Sequence, residues 1–386
     1  MPIDDLSRVI ATLDNLSSEP GPPVRVELPN TVGWLVRSHD DVRTVLSDDR
    51  FSADDQKPGF PFLFNIPNPP GGLSFLRMDP PRHDVLRRVL TPSFTVRRIE
   101  AMRPAITRAS QDLLDRMRSD GPPTDLVEAF ALPLPSQVIC ILLGVPYDDR
   151  DTFQHHTRNV VSLESYPADA ADSYREIGEY LHRLATAKRE HPGDDMLSHI
   201  GRQRDAVGMD DADVVAMARL MLTAGHETTA NMIGMMMLLL FNEPQRMRQL
   251  RGDPSLVRPA VEESLRRASI VRSALTRVAV ADAQVGGVTI RAGEGVVLGL
   301  NGANHDPAWY DRPEEFDFQR DARTHVAFGF GVHQCLGQAL ARLELQIAVT
   351  GLLHTFENLA PAVPLDEITM KNWSLIMGPQ SLPVTW

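Results

Sequence analysis

The chain has 386 residues, enough for two or three domains or one large one, and its 42% hydrophobic and 23% charged residues exclude wholesale disorder, collagen and coiled-coil rods. A charge of 39 − 51 = −12 argues against nucleic acid, whose phosphates call for Lys and Arg. Cys140 and Cys335 cannot build a disulfide framework, the N-terminus carries Asp4 and Asp5 and no apolar signal core, and the longest apolar run, 232–241, is about half of the ~20 residues of a membrane span, so a cytoplasmic protein is expected.

Taken in order, the first 35 residues read as coil, followed by a strand at 33–36 and a helix over 40–46. The stretch 56–77 carries five prolines and an alternating Phe60, Phe62 and Phe64. A loop this apolar is either buried against the core or, the reading favoured here, lines a pocket for an apolar ligand, and its 60–64 part is expected to move with the helices of 148–190 as a lid. Helical spacing dominates next, over 82–90, 99–118, 135–143 and stretches of 148–189. The segment 209–241 is apolar on nearly all faces and should cross the core. A helix over 254–267, strands at 276–280, 285–290 and 295–300, and a last long helix over 336–356 complete the chain. No repeat or linker separates two cores, so residues 1–386 are expected to form one mainly α domain with a small β part.

The stretch FGFGVHQCLG at 328–337 holds the most chemistry. Gly329 and Gly331 permit backbone angles that side chains resist. Cys335 stands ahead of a helix N-terminus that favours thiolate, and Gly337 leaves room for something flat against the backbone. A lone thiolate suits a haem iron better than zinc. The pattern F-G-x-G-x-H-x-C-x-G resembles the haem-ligand loop of the cytochrome P450 family with every fixed position filled. Six such positions match by chance in a chain this long less than about 10⁻⁵ of the time.

That resemblance implies a triangular-prism P450 fold, a haem b cofactor with Cys335 as axial iron ligand, and Phe328, Gly329 and Gly337 around it. It further implies that the propionates are held by His83 and Arg87, four apart on one helix, by Arg277 on the strand that follows the E-x-x-R helix, and by His333. E-x-x-R occurs at Glu100/Arg103, Glu243/Arg246 and Glu263/Arg266. Only the third lies where the family keeps its scaffold ion pair.

In the central helix, AGHETT at 224–229 is a polar block between apolar halves, costly unless paired or hydrated. It resembles the family's (A/G)-G-x-(D/E)-T-T, which implies that Glu227 and Thr228 are the acid–alcohol pair delivering protons to the oxygen-activating site. A Thr hydroxyl there can bond back to a carbonyl and open the helix. His226-Glu227 could open an H-E-x-x-H zinc site, but Ala230 stands where the second His is needed. His226 itself reads as a packing residue.

The implied activity is ferredoxin-dependent monooxygenation of a sizeable lipophilic molecule such as a polyketide, macrolide, steroid or xenobiotic, using O2. The chain holds no G-x-G-x-x-G fingerprint, so electrons must arrive from elsewhere, and the resemblance implies a ferredoxin with its NAD(P)H-dependent reductase as the supply. A cationic cluster of Arg88, Arg97, Arg98 and Arg103 is expected to dock the ferredoxin on a monomeric protein with no membrane or nucleic-acid partner. By position in the family, Phe60, Phe62, Phe64, Ala224, Ile270, Arg272, Leu275 and Ile376 should line the substrate pocket, with Arg272 facing a substrate carboxylate, solvent or a propionate. The alternatives are a haem-thiolate peroxygenase or isomerase, and a non-catalytic haem carrier or sensor. An intact Glu227-Thr228 pair argues against them.

Overall fold

A computed structural model of the chain describes residues 3–63, 74–149, 167–271, 275–371, 374 and 376–386. The helices used below are α1 (Ile3–Ser17), α2 (His39–Ser47), α3 (Arg82–Leu90), α4 (Val96–Asp120), α5 (Pro133–Leu143), α6 (Pro167–Glu190), α7 (Met196–Gln203), α8 (Asp211–Asn242), α9 (Pro244–Gly252), α10 (Val257–Ala268), α11 (Leu300–Asn304) and α12 (Gln338–Thr355).

The axis of the fold is α8. Its start is fixed by a capping box, in which Asp210 and Asp213 satisfy each other's backbone N–H, and it stops before Pro244, which cannot continue the ladder. Apolar residues on nearly every face let it run through the interior, with Met217, Leu222, Met232, Met236 and Leu240 buried. Around it α4, α5, α10 and α12 share one hydrophobic core. Burying each such side chain contributes roughly 1.5–3 kcal/mol.

A second core lies under a five-stranded sheet of order β1-β2-β8-β5-β3. Its strands are β1 (Val24–Glu27), β2 (Val32–Val36), β3 (Phe51–Ser52), β5 (Leu275–Ala279) and β8 (Gly295–Leu298), while β4 (Thr124–Asp125) pairs elsewhere with the strand Pro383–Thr385. Strand β5 pairs antiparallel with β8, Arg277 opposite Val296. This register sets Arg277 near the cysteine loop.

Three expectations fail here. The chain start is not coil: α1 and β1 occupy it, and Leu13 and Leu16 pack toward the sheet. The strand expected at 285–290 is a hairpin of β6 (Ala283–Val285) and β7 (Val288–Ile290), because Gly286 and Gly287 take positive φ and turn the chain. The last strand ends at Leu298 and gives way to α11.

Candidate functional site

The cysteine loop is held by its own backbone. Gly329 N–H donates to Val326 O at 2.8 Å, and Cys335 N–H to Phe328 O at 2.8 Å. At Gly331 φ is +71° and a Cβ would stand 2.3 Å from Leu46 O, so only glycine lets the loop lie against α2. Gly337 has the freedom expected of it: the nearest atoms to a Cβ there are Phe94 Cε1 at 3.9 Å and Cys335 Sγ at 4.0 Å.

Cys335 opens onto a cavity of about 360 Å³, enclosed by protein on its other sides. Its thiol differs from the sequence expectation. Burial pushes it up, and this outweighs the opposing pull of the Gly337 and Gln338 N–H groups at the start of α12 and of the Arg87 and Arg342 guanidiniums. The protein alone therefore favours the thiol, and a bound metal cation is what deprotonates such a ligand. Cys140, by contrast, is buried in α5 within the main core.

One end of the cavity is cationic. Arg77, Arg87, Arg277 and His333 line it. Arg87 donates to Gln334 O at 2.6 Å, Arg77 to Thr276 Oγ1 at 3.0 Å, and Arg277 to Thr276 O at 2.8 Å. Burial, then the neighbouring Arg77, lowers Arg277 to about 10. Burial and the same guanidiniums lower His333 to about 3, so its ring is neutral. His83 lies behind, its ring 4.2 Å from that of His333. Its Nδ1 meets Asp84 at 2.7 Å, while Nε2 is buried with no partner among the described residues, as is Arg77 Nε. Unsatisfied buried donors beside clustered cations fit an anionic ligand edge. An apolar slot with sulfur beneath and cations at one edge fits haem and its propionates. Arg77 had no motif to announce it; only the fold brings it beside Arg277.

The α8 polar block lies along the same cavity, with Ala224, Gly225, Thr228 and Thr229 on its wall. Thr228 Oγ1 donates to Ala224 O at 2.6 Å, and the helix passes through without opening. Burial raises the Glu227 carboxyl, opposed by Lys371 with Nζ 3.6 Å from Oε1 and by Asn231. His226 is buried with Nε2 3.1 Å from Leu132 O, the packing role expected of it.

Glu263 and Arg266 form a fully buried two-bond pair, both at 2.8 Å. Arg266 also donates to Asn304 O and Pro313 O at 2.8 Å, and Asp317 N–H donates to Glu263 at 3.1 Å, which ties α10 to the segment leading to the cysteine loop. The other two motifs differ: Glu100/Arg103 is a surface contact, and Arg246 reaches Asp317 instead of Glu243.

Of the pocket candidates, Ala224, Ile270 and Leu275 line the cavity. Phe60 and Phe62 do not: their rings pack on each other at 5.4 Å, Phe60 lies under the Arg77 guanidinium, and Asn30 ties both backbones down. Ile376 stands behind Val271, to which it is bridged. Phe64, Arg272 and residues 150–166 of the expected lid lie outside the described residues. Phe75 and Leu76, from the apolar stretch expected to line a pocket, do so, whereas Ile139 and Met232 line the cavity without having been expected there. In the arginine cluster, Arg98 pairs with Asp194 and Arg103 with Glu100, which leaves Arg88 and Arg97 as its exposed members without an ion pair among the described residues.

Fold and site together define a haem-thiolate enzyme. The family model described as Cytochrome P450 matches residues 7–181 and 184–386. Cytochrome P450-SU2 of Streptomyces griseolus is 48% identical over 355 residues, covering 92% of this chain and 87% of that protein. Pentalenic acid synthase of Streptomyces avermitilis is 45% identical over 357 residues, 92% of this chain and 88% of that one. The crystal structure of cytochrome P450 MoxA from Nonomuraea recticatena has a TM-score of 0.89 at 42% identity, covering 95% of this chain and 93% of that chain. The chain belongs to the cytochrome P450 family and is a P450 monooxygenase with a haem-iron cofactor. None of its described helices is long and apolar enough to cross a membrane.

Proposed function

We propose that the 386 residues act as one haem b-dependent domain that hydroxylates or epoxidises a sizeable lipophilic molecule, with Cys335 as iron ligand and a ferredoxin and its NAD(P)H-dependent reductase as electron source. The observation that carries this reading is the shared cavity: the Cys335 sulfur and the Thr228 hydroxyl open onto one apolar space with a cationic end. Bound there, haem supplies dioxygen activation and transfer of one oxygen atom to carbon, the other leaving as water.

The chain's own residues would do the rest. Arg77, Arg87, Arg277, His83 and His333 neutralise and hydrogen-bond the two propionates, and Phe328, Gly329 and Gly337 leave room for the ring. The hydroxyl of Thr228 commits its proton to Ala224 O, so its oxygen is left to accept from a water in the cavity. Glu227, raised by burial, hands protons inward to that water. Leu220, Met221, Ile270 and Leu275 seat apolar substrate and exclude bulk water. A polyketide-, macrolide-, steroid- or xenobiotic-sized substrate suits these apolar walls, and one relative carries the name pentalenic acid synthase.

An acidic ferredoxin would meet the exposed Arg88 and Arg97 on a monomeric, cytoplasmic enzyme. The test is turnover of compounds selected by their shift of the haem Soret band, with ferredoxin, reductase and O2 each omitted in turn. Product formed from peroxide alone at the full rate would refute the proposal.

A further inference from the structure

Lys57, Lys188 and Lys371 are all the lysines of the chain. The side chain of Lys57 is 37% exposed, and Lys188 pairs with Asp195 at 2.7 Å. That of Lys371 is only 12% exposed, with Nζ 3.6 Å from Glu227. A strongly hydrated ammonium is costly to bury without a counter-charge. Glu227 is that counter-charge.

The lysine arrives on a C-terminal hairpin. Met370 bridges to Pro379, Lys371 N–H donates to Gly378 O at 2.9 Å, and Gln380 N–H to Thr369 O at 2.8 Å. The hairpin sits hard on α8: a Cβ at Gly378 would stand 2.1 Å from Asn231 Oδ1 and 2.7 Å from its Cβ. Farther along, Ile376 bridges to Val271 and Met377 N–H donates to Ile270 O at 2.7 Å, and both partners line the cavity. One hairpin therefore touches the substrate wall at one end and the acid of α8 at the other.

We infer that Lys371 is a positioning residue for the proton supply, fixing the Glu227 carboxylate and making its state depend on where the C-terminal hairpin sits. The inference rests on the proposed proton-carrying role of Glu227. Among the described residues, the groups facing that carboxyl are Lys371 from the hairpin and Asn231 from its own helix. His226 turns onto Leu132, and α5 presents the apolar Ile139 at Gly225. Burial raises the carboxyl while Lys371 holds it down, so removing the lysine favours the neutral acid.

The experiment is a pH titration of the haem-loaded enzyme by difference infrared spectroscopy, following the carboxylic-acid band that disappears in Glu227→Gln. In Lys371→Met the protonation midpoint should rise by about 1–3 pH units, the range for losing an opposite charge at this distance. Lys371→Arg should bring it back toward wild type. Gly378→Ala keeps the lysine but must push the hairpin off Asn231, and should move the midpoint in the same direction. An unmoved midpoint in Lys371→Met overturns the inference, and one in Gly378→Ala overturns the link to the hairpin even if Lys371→Met fails to fold. Product formed per NAD(P)H in Glu227→Gln is measured separately. An unchanged ratio there defeats the proton-carrying role, whereas a lowered ratio with an unmoved infrared midpoint defeats only the role of Lys371.

Discussion

Replacing Thr228 with Ala should change coupling and leave stability alone. The hydroxyl donates to Ala224 O at 2.6 Å, but that carbonyl lies one helical turn back, where it also takes the backbone N–H of residue 228. Deleting the hydroxyl orphans no group, and Ala is the better helix former by up to about 0.7 kcal/mol. The net stability change should fall within roughly 0.5 kcal/mol of zero, and haem and substrate binding should persist. The water that accepts protons from Glu227 loses its anchor, however. Positioned acid–base groups contribute about 10²–10⁴-fold, and because a second water can partly fill the gap, the loss should fall below that range, roughly tenfold or about 1.4 kcal/mol. The assay is product formed and peroxide released per NAD(P)H consumed, with a substrate that has no hydroxyl near the oxidised carbon, since such a hydroxyl could stand in for the threonine. Equal ratios in wild type and variant would refute the proton-delivery role. So would a drop of more than about 1 kcal/mol in stability with coupling intact, since the hydroxyl would then serve only its own helix.

Three further outcomes follow from the geometry. Cys335→Ser should abolish the red-shifted band of the reduced, CO-bound enzyme while Cys140→Ser, in the core of α5, retains it; the reverse pattern would reassign the ligand. Arg266→Met takes the two-bond partner from the buried Glu263 carboxylate and leaves it the longer contact with Arg320 at 3.3 Å, which should cost about 3 kcal/mol in urea denaturation, against about 0.5 kcal/mol or less for Arg103→Ala, whose partner is exposed; equal costs would deny the buried pair its scaffold role. Charge reversal at Arg88 or Arg97 should slow reduction by an acidic ferredoxin at low salt and converge with wild type as salt rises, and an unaltered low-salt rate would place the docking surface elsewhere.

How much of this was legible in the sequence depends on the range of the interaction involved. The helices of α3, α5, α8 and α12 and the strand β5 follow from local apolar spacing, and the cysteine loop from a dense motif. The apolar positions 3, 6, 10, 13 and 16 of α1 also keep helical spacing, but the prolines and glycine at 20–23 dominate that region and suggest coil. Phe60 and Phe62 show that an apolar loop announces burial without saying which cluster it joins. Arg77 and Lys371 were illegible for a different reason. Their partners stand some 200 and 144 positions away, at Thr276 or Arg277 and at Glu227, so no periodicity or short motif records the pairing.

The guanidiniums of Arg77, Arg87 and Arg277 crowd one poorly solvated corner, where burial disfavours the charge of all three and Arg77 further disfavours that of Arg277. Gathered like charges weaken the fold that carries them, and an anionic prosthetic group relieves the strain by mass action. Newly made chains would then ripen into durable protein only as fast as porphyrin and iron reach them, with proteolysis clearing those left waiting.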